Sequence, residues 1–419
     1  HSDKFKTACL SLSLLTQLER ETASMNALIP YVLRRGSTHY PNMQAISQRL
    51  EELYGTAIEP VVRRIGEIQC LGFYASIPEG EFIPGGEDLL HHAAALLGEL
   101  LLSPATRGGL LLPDYVESEK EKLLELIRSR VNEKVNYSLI RCIEEMCCYE
   151  DYAVGRFGGE AECEAIHYQK LTRQYRTLLQ SCPIELFYCG RAGAKQVASA
   201  LKDALMPLPR GEINYDIGTD VRMNALEAQP RMVEETMDVS QGKLVIGFRL
   251  GACMEEPDAA ALSVFNCAFG GGSTSKLFMN VRERLSLCYY ASSILDRHKG
   301  LLLVASGIEF DKLEAVKNEI FAQLEALRRG ELSDGELKAA RAGVASDLRA
   351  LTDSQGNLEG FYLSQAIAGP DCGPLELAEL AEDVSREQIA QIAKSVECDL
   401  IYFLKGSESE QEEDEDETP

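Results

Sequence analysis

Metal chemistry needs ligands at fixed spacing, and the six histidines of this chain (His1, His39, His91, His92, His167 and His298) do not provide it. A metallopeptidase helix presents two histidines four residues apart, with a glutamate between them as general base. No pair here has that spacing. His91 and His92 are adjacent and point to different faces of a helix, which suits a packing or snorkelling role better than ligation. The thirteen cysteines include no C-x-x-C pair, so no zinc ribbon is expected. Their odd number, spread through predicted helices and strands, suits reduced thiols and a cytoplasmic location. No G-x-S-x-G occurs, so a nucleophile elbow has no support. Gly270-Gly271-Gly272-Ser273 with Lys276 invites a phosphate-loop reading. It fails, because Ser275 precedes the lysine and Leu277 follows it, where that loop needs glycine and then serine or threonine.

Composition narrows the partners. Against 42 basic residues stand 66 acidic ones, a net charge of -24 over 419 residues, which disfavours nucleic acid or an anionic membrane surface. Glu408 to Glu417 is almost continuously acidic, so 407–419 is expected to be a disordered tail. No stretch approaches the roughly 20 apolar residues of a membrane span. His1-Ser2-Asp3-Lys4 lacks the apolar core of a secretory leader.

The elements that must position any site follow from periodicity. Thr7 to Leu15 alternates as a strand, with Leu10, Leu12 and Leu14 on one face. Asn26 to Arg35 reads as an apolar helical segment stopped by Gly36, and Met43 to Leu53 as a second helix. Strands are predicted over Ile58–Arg64 and Ile68–Ile77, a helix over Asp88–Leu102, and a long charged helix from Pro113 towards Val135. Helices follow over 137–148 and 168–180, then a strand over 184–189 and a helix over 194–205. The second half replays this order: a strand over 243–250, a helix over 257–269, the glycine loop with a helix through Leu285, paired strands over 289–295 and 300–308, three helices to Ala368, and a closing helix and strand over 386–404. Ser181 to Gly190 echoes Ser395 to Gly406, each after an amphipathic helix near the end of a half. A repeat of about two hundred residues is a duplicated α+β domain rather than a solenoid. The expected boundaries are 1–206, a linker over 207–231, and 232–406.

With these stretches in place, the chain resembles the pitrilysin/insulinase family of zinc metallopeptidases. The resemblance rests on Ala27 to Gly36 with Tyr40-Pro41, Arg49 to Gly55, Glu145-Met146-Cys147, Gln241 to Arg249, and Phe269 to Arg284 with its glycine loop. It is nearest the bacterial subgroup associated with 5-aminopentanol modification of elongation factor P. It implies two homologous mixed-sheet α+β domains, a mitochondrial processing peptidase-like fold, forming half of a clamshell. Active members bind zinc through His-x-x-Glu-His and a later glutamate. Here the histidine positions hold Ala27 and Tyr31, the base position Pro30, and the best register for the distal ligand Leu126, with Glu125 one residue off. The resemblance therefore implies no metal in this chain. The family's arginine and tyrosine, seven residues apart after the glycine loop, match Arg282 and Tyr289. It further implies a non-catalytic subunit that completes the peptide site of a zinc-bearing homologue through Arg282, Tyr289 and Gly270, Gly271 and Gly272. The alternative is a peptide-binding pseudoenzyme in elongation factor P modification without proteolysis.

Overall fold

The computed structural model describes residues 1–406; the acidic stretch 407–419, expected as a tail, lies outside the described residues. The chain forms two compact units, each assembled from both halves of the sequence. The first comprises His1–Ser129, Val154–Thr219 and Leu351–Gly369; the second comprises Arg130–Ala153, Asp220–Ala350 and the chain from Pro370 onward.

The first unit contains β1 (Thr7–Gln17), α1 (Arg20–Leu33), α2 (Met43–Glu52), β2 (Ala57–Ile65), β3 (Ile68–Pro78), α3 (Leu90–Leu102), a small hairpin of β4 (Thr106–Arg107) and β5 (Leu110–Leu111), and α4 (Pro113–Ser129). After α5 (Lys134–Met146), which belongs to the second unit, come α6 (Glu160–Glu164), α7 (Tyr168–Ser181), β6 (Ile184–Cys189) and α8 (Ala194–Leu205). The sheet runs β2-β3-β1-β6, antiparallel throughout. The alternation of β1 sorts its two faces. Leu10, Leu12 and Leu14 enter one cluster with Leu28 and Val32 of α1, Leu97 of α3 and Leu178 of α7. Each leucine so buried contributes about 1.5–3 kcal/mol.

Cys9, Ser11, Ser13 and Leu15 lie on the other face of β1. α12 (Gln355–Ala368), from the far end of the sequence, belongs to this unit. Gln355 Nε2 donates to the carbonyls of Thr7 and Cys189, both at 2.7 Å. Arg63 pairs with buried Glu359, and Tyr362 stacks on Phe187 with centroids 5.9 Å apart. Leu363 packs with Leu15, Ile68 and Cys70.

The second unit begins with α5 (Lys134–Met146) and continues with β7 (Arg231–Met237), β8 (Gly242–Arg249), α9 (Ala259–Asn266), β9 (Tyr290–Asp296), β10 (Leu301–Ile308), α10 (Leu313–Arg328) and α11 (Asp334–Ala350). It ends with α13 (Pro374–Asp383), α14 (Arg386–Ser395) and β11 (Glu397–Gly406). Its sheet runs β7-β11-β8-β10-β9, with β7 parallel to β11 and the other pairs antiparallel. Cys142 and Met146 of α5 cluster with Val245, Leu303, Leu400 and Tyr402.

Beneath α5 the second unit buries four charges. Fully buried Arg249 reaches Glu150 Oε1 at 2.7 Å and Asp399 Oδ2 at 2.9 Å, and buried Lys299 reaches Glu150 Oε2 at 2.7 Å. Two cations against two anions leave no uncompensated charge in low dielectric. Burial pushes the Glu150 carboxyl up, but hydrogen bonds from Arg249 and Lys299 outweigh it and hold the group below the usual range.

Several elements differ from expectation. The long helix predicted towards Val135 stops at Ser129, and a 3-10 turn over Arg130–Asn132 precedes α5. No glycine or proline marks the break, which coincides with the passage from one unit to the other. β7 and α13 were not anticipated. Residues 208–230 have neither helix nor strand. All thirteen cysteines are free, and among the described residues no helix is long and apolar enough to cross a membrane.

Candidate functional site

α1 ends where Gly36 must be glycine: a Cβ there would stand 2.5 Å from the Pro41 carbonyl oxygen. Inside it, Ala27 and Pro30 are buried and Tyr31 is half-buried. Neither Ala27 nor Pro30 carries a side-chain lone pair. Burial raises the Tyr31 phenol; Arg156 lowers it and Glu119 raises it further, leaving it protonated at neutral pH. On α4, Leu126 is exposed, as is Glu125. The inward carboxylate is instead Glu119, 7% exposed, on the stripe of Val116, Leu123 and Ile127. Its spacing on that stripe was the signal that sequence reasoning passed over. Glu119 accepts from Arg35 at 3.0 Å and Lys122 at 2.7 Å, and the Arg35 guanidinium lies 5.0 Å from the Tyr115 ring centroid.

The remaining polar groups around α1 are neutral amides. Asn26 Nδ2 donates to Gln69 Oε1 at 3.0 Å, and Gln174 Nε2 donates to Asn26 Oδ1 at 2.8 Å. Gln69 Nε2 donates to the carbonyls of Ala23 and Arg156. This donor set does not fit zinc, which takes imidazole, thiolate or free carboxylate. Among the described residues no group of three or more His, Cys, Asp or Glu side chains could hold a metal ion.

In the second unit, Asp258 caps α9 by accepting from the backbone N–H groups of Ala260 and Ala261, both at 3.0 Å. The helix then widens into a π-helical turn over Cys267–Gly271, and a second π-helical stretch covers Leu277–Arg284. Such turns are rare and frequent at functional positions. The glycines between them serve the chain's own packing. A Cβ on Gly270 would stand 2.7 Å from the Ser293 nitrogen of β9, one on Gly271 2.9 Å from Asn266 Nδ2, and one on Gly272 3.1 Å from Cys267 Sγ. Lys276 is engaged with Glu336 at 2.7 Å.

Arg282 and Tyr289 bracket the end of this stretch. The Arg282 side chain is 43% exposed, with its guanidinium 4.7 Å from the Phe278 ring centroid and Nε 3.4 Å from Glu283 Oε1. Tyr289 is 62% exposed, and its backbone N–H donates to the Gly307 carbonyl at 2.9 Å. Burial pushes the Cys288 thiol up, a hydrogen bond with Ser306 lowers it, and Arg282 lowers it too, so the guanidinium acts on the residue beside Tyr289. A guanidinium and a phenol facing solvent are each able to donate a hydrogen bond to a carbonyl oxygen.

Residues 165–344 match the family described as Peptidase M16 inactive domain. Over 408 residues the chain is 33% identical to the probable inactive metalloprotease YmfF of Bacillus subtilis, spanning 97% of this chain and 95% of that one. The chain belongs to the M16 peptidase family. Its fold matches a conserved protein from Enterococcus faecalis V583 with a TM-score of 0.86 and 26% identity, covering 97% and 95% of the two chains. It also matches the ferredoxin protease FusC, solved as a mutant in complex with Arabidopsis ferredoxin, with a TM-score of 0.64 and 13% identity; there the match covers 96% of this chain and 43% of that one. In this M16 chain apolar packing and amide pairing occupy α1, the helix that the resemblance assigns to zinc.

Proposed function

We propose that this chain is the non-catalytic subunit of a heterodimeric M16 peptidase. A zinc-bearing homologue carries out hydrolysis, and this chain contributes Arg282, Tyr289 and the Gly270–Gly272 loop to the peptide-binding site. The observation that carries the reading is a contrast within one chain. α1 offers no metal donor, while Arg282 and Tyr289 stay exposed with no fold-stabilising role that demands an arginine and a tyrosine. Two donors converging on a peptide carbonyl would stabilise negative charge developing on its oxygen as the partner's nucleophile adds. FusC supports the arrangement by length, since the match covers 43% of it and leaves room for a second chain of similar size.

The test is cleavage of a peptide library by this chain, by a zinc-bearing M16 homologue from the same genome, and by the mixture. Activity confined to the mixture is the expected result. A stable complex, confirmed by sizing, that leaves every peptide intact would move the reading to a peptide-binding pseudoenzyme, including one serving elongation factor P modification. Cleavage by this chain alone would overturn both.

A further inference from the structure

The link between Arg282 and Tyr289 is short and strained. Among the described residues only two other than glycine adopt the left-handed region, Tyr54 at φ 55° and Ser286 at φ 48°. Tyr54 has a use for its side chain, since its hydroxyl donates to the Pro84 carbonyl at 3.3 Å. Ser286 has none of that kind: its side chain is exposed and makes no hydrogen bond among the described residues. A left-handed serine crowds its Cβ against the following carbonyl, a cost that persists only where the surroundings impose it.

The surroundings do so from both sides. Upstream, the π-helical stretch Leu277–Arg284 is tied to α10 by Asn280 Nδ2, which donates to Gln323 Oε1 at 3.1 Å, and the Arg282 guanidinium lies over the Phe278 ring. Downstream, the Tyr289 N–H donates to the Gly307 carbonyl, and Ser306 Oγ donates to the Tyr290 carbonyl at 2.8 Å, so the entry to β9 is fixed on β10. Between these anchors the chain reverses at Ser286. Its N–H returns to the Arg282 carbonyl at 3.1 Å, and that of Leu287 returns to the Val281 carbonyl at 3.0 Å. Such double closure of a helix C-terminus calls for a left-handed residue at the turn. A right-handed Ser286 would carry the helix onward and draw Tyr289 away from Gly307.

We infer that Ser286 is a positioning residue: its left-handed backbone sets the offset between the Arg282 guanidinium and the Tyr289 phenol. The inference rests on the reading of that pair as peptide-binding groups, and Ser286 acts through Tyr289 rather than on the peptide.

Two variants separate the backbone of this residue from its side chain. Ser286→Val makes the left-handed conformation much costlier, because a β-branched residue is an outlier there; Ser286→Gly leaves that conformation free. In the chain alone, hydrogen exchange at the Tyr289 amide should quicken by about tenfold or more in Ser286→Val and stay within about threefold of the original in Ser286→Gly, while the Val304 amide in the middle of β10 holds its rate in both. Equal Tyr289 exchange in all three proteins overturns the inference. So does a Val304 amide that quickens in step, which would make Ser286 a residue of general stability.

In the mixture with a zinc-bearing homologue, Ser286→Val should lower turnover by about tenfold or more in a complex that stays intact on sizing, and Ser286→Gly should restore it. On a Tyr289→Phe background the valine should cost less than about twofold further, because the hydroxyl it misplaces is already gone. A full additional tenfold loss there would overturn the inference. An unaltered mixture that cleaves nothing fails the subunit reading instead, and Tyr289 exchange in the chain alone then decides the role of Ser286.

Discussion

Around α1 the first unit satisfies its buried polar groups with the neutral amides of Asn26, Gln69 and Gln174 and fills the rest with Ala27, Leu28 and Pro30. Around β8 the second unit, built on the same strand order, buries Arg249, Lys299, Glu150 and Asp399 and leaves Arg282 and Tyr289 in solvent. The difference separates what each region needs for folding from what it offers to a ligand. A buried helix can lose a metal site and be refilled with apolar side chains at little cost, because packing replaces coordination. An exposed arginine and tyrosine add almost nothing to stability, so folding does not account for them.

Breaking the buried charges should give the largest effect. Glu150→Ala strands Arg249 and Lys299 without a shared anion and should destabilise the second unit by about 3–5 kcal/mol in urea unfolding followed by circular dichroism. A loss under about 1 kcal/mol would show that the charges do not hold this unit together. The pH dependence has a fixed sign: Glu150 is held below its unfolded range, so its contribution is full at neutral pH and is lost as pH falls through that lowered value. Glu150→Gln should flatten the acid limb of the stability curve.

The matching cut in the first unit should be smaller. Gln69→Leu leaves the Ala23 and Arg156 carbonyls and Asn26 Nδ2 without their partner, at about 1–3 kcal/mol. Equal losses from Gln69→Leu and Glu150→Ala would erase the contrast between amide and charge burial.

Arg282→Ala and Tyr289→Phe should each change stability by less than about 0.5 kcal/mol. In the mixture with a zinc-bearing homologue, each should lower turnover by roughly 100-fold or more while sizing shows an intact complex. Unchanged turnover would leave the pair without a role in the shared site. Smallest of all is the response to metal. Micromolar zinc should not move the unfolding midpoint of this chain, because a ligand that binds the native state must stabilise it. One equivalent of zinc by elemental analysis would contradict the donor-free reading of α1.

Much of this organisation was legible in the residues. The alternation of Leu10, Leu12 and Leu14 identifies β1 and its core face, and the replayed order of elements reveals the duplication. Ala27 and Pro30 are buried and Tyr31 is half-buried in α1, as the apolar character of that segment suggests. Three features were hidden for physical reasons. β7 follows Met232 and Val233 with Glu234, Glu235 and Thr236, too polar and without the alternation that marks a strand; the hydroxyls of Tyr137 and Tyr402 donate to Glu235 and satisfy its carboxylate. The break between α4 and α5 has no breaker residue; it coincides with the passage from one unit to the other. The charge cluster joins residues up to 249 positions apart, Glu150 to Asp399, so no local window contains it.

The traded helices carry a consequence for how the protein is born. Gln355 bonds to Thr7 across 348 positions of sequence, so the nascent first unit leaves the ribosome with one face of its sheet still bare. Until residues 351–369 emerge, Leu15, Ile68 and Cys70 have no cover. Contacts closed over such separations form slowly and expose sticky intermediates. Synthesis of this chain should therefore lean on chaperones during the interval, and a protein released before residue 351 should aggregate rather than persist as a folded half.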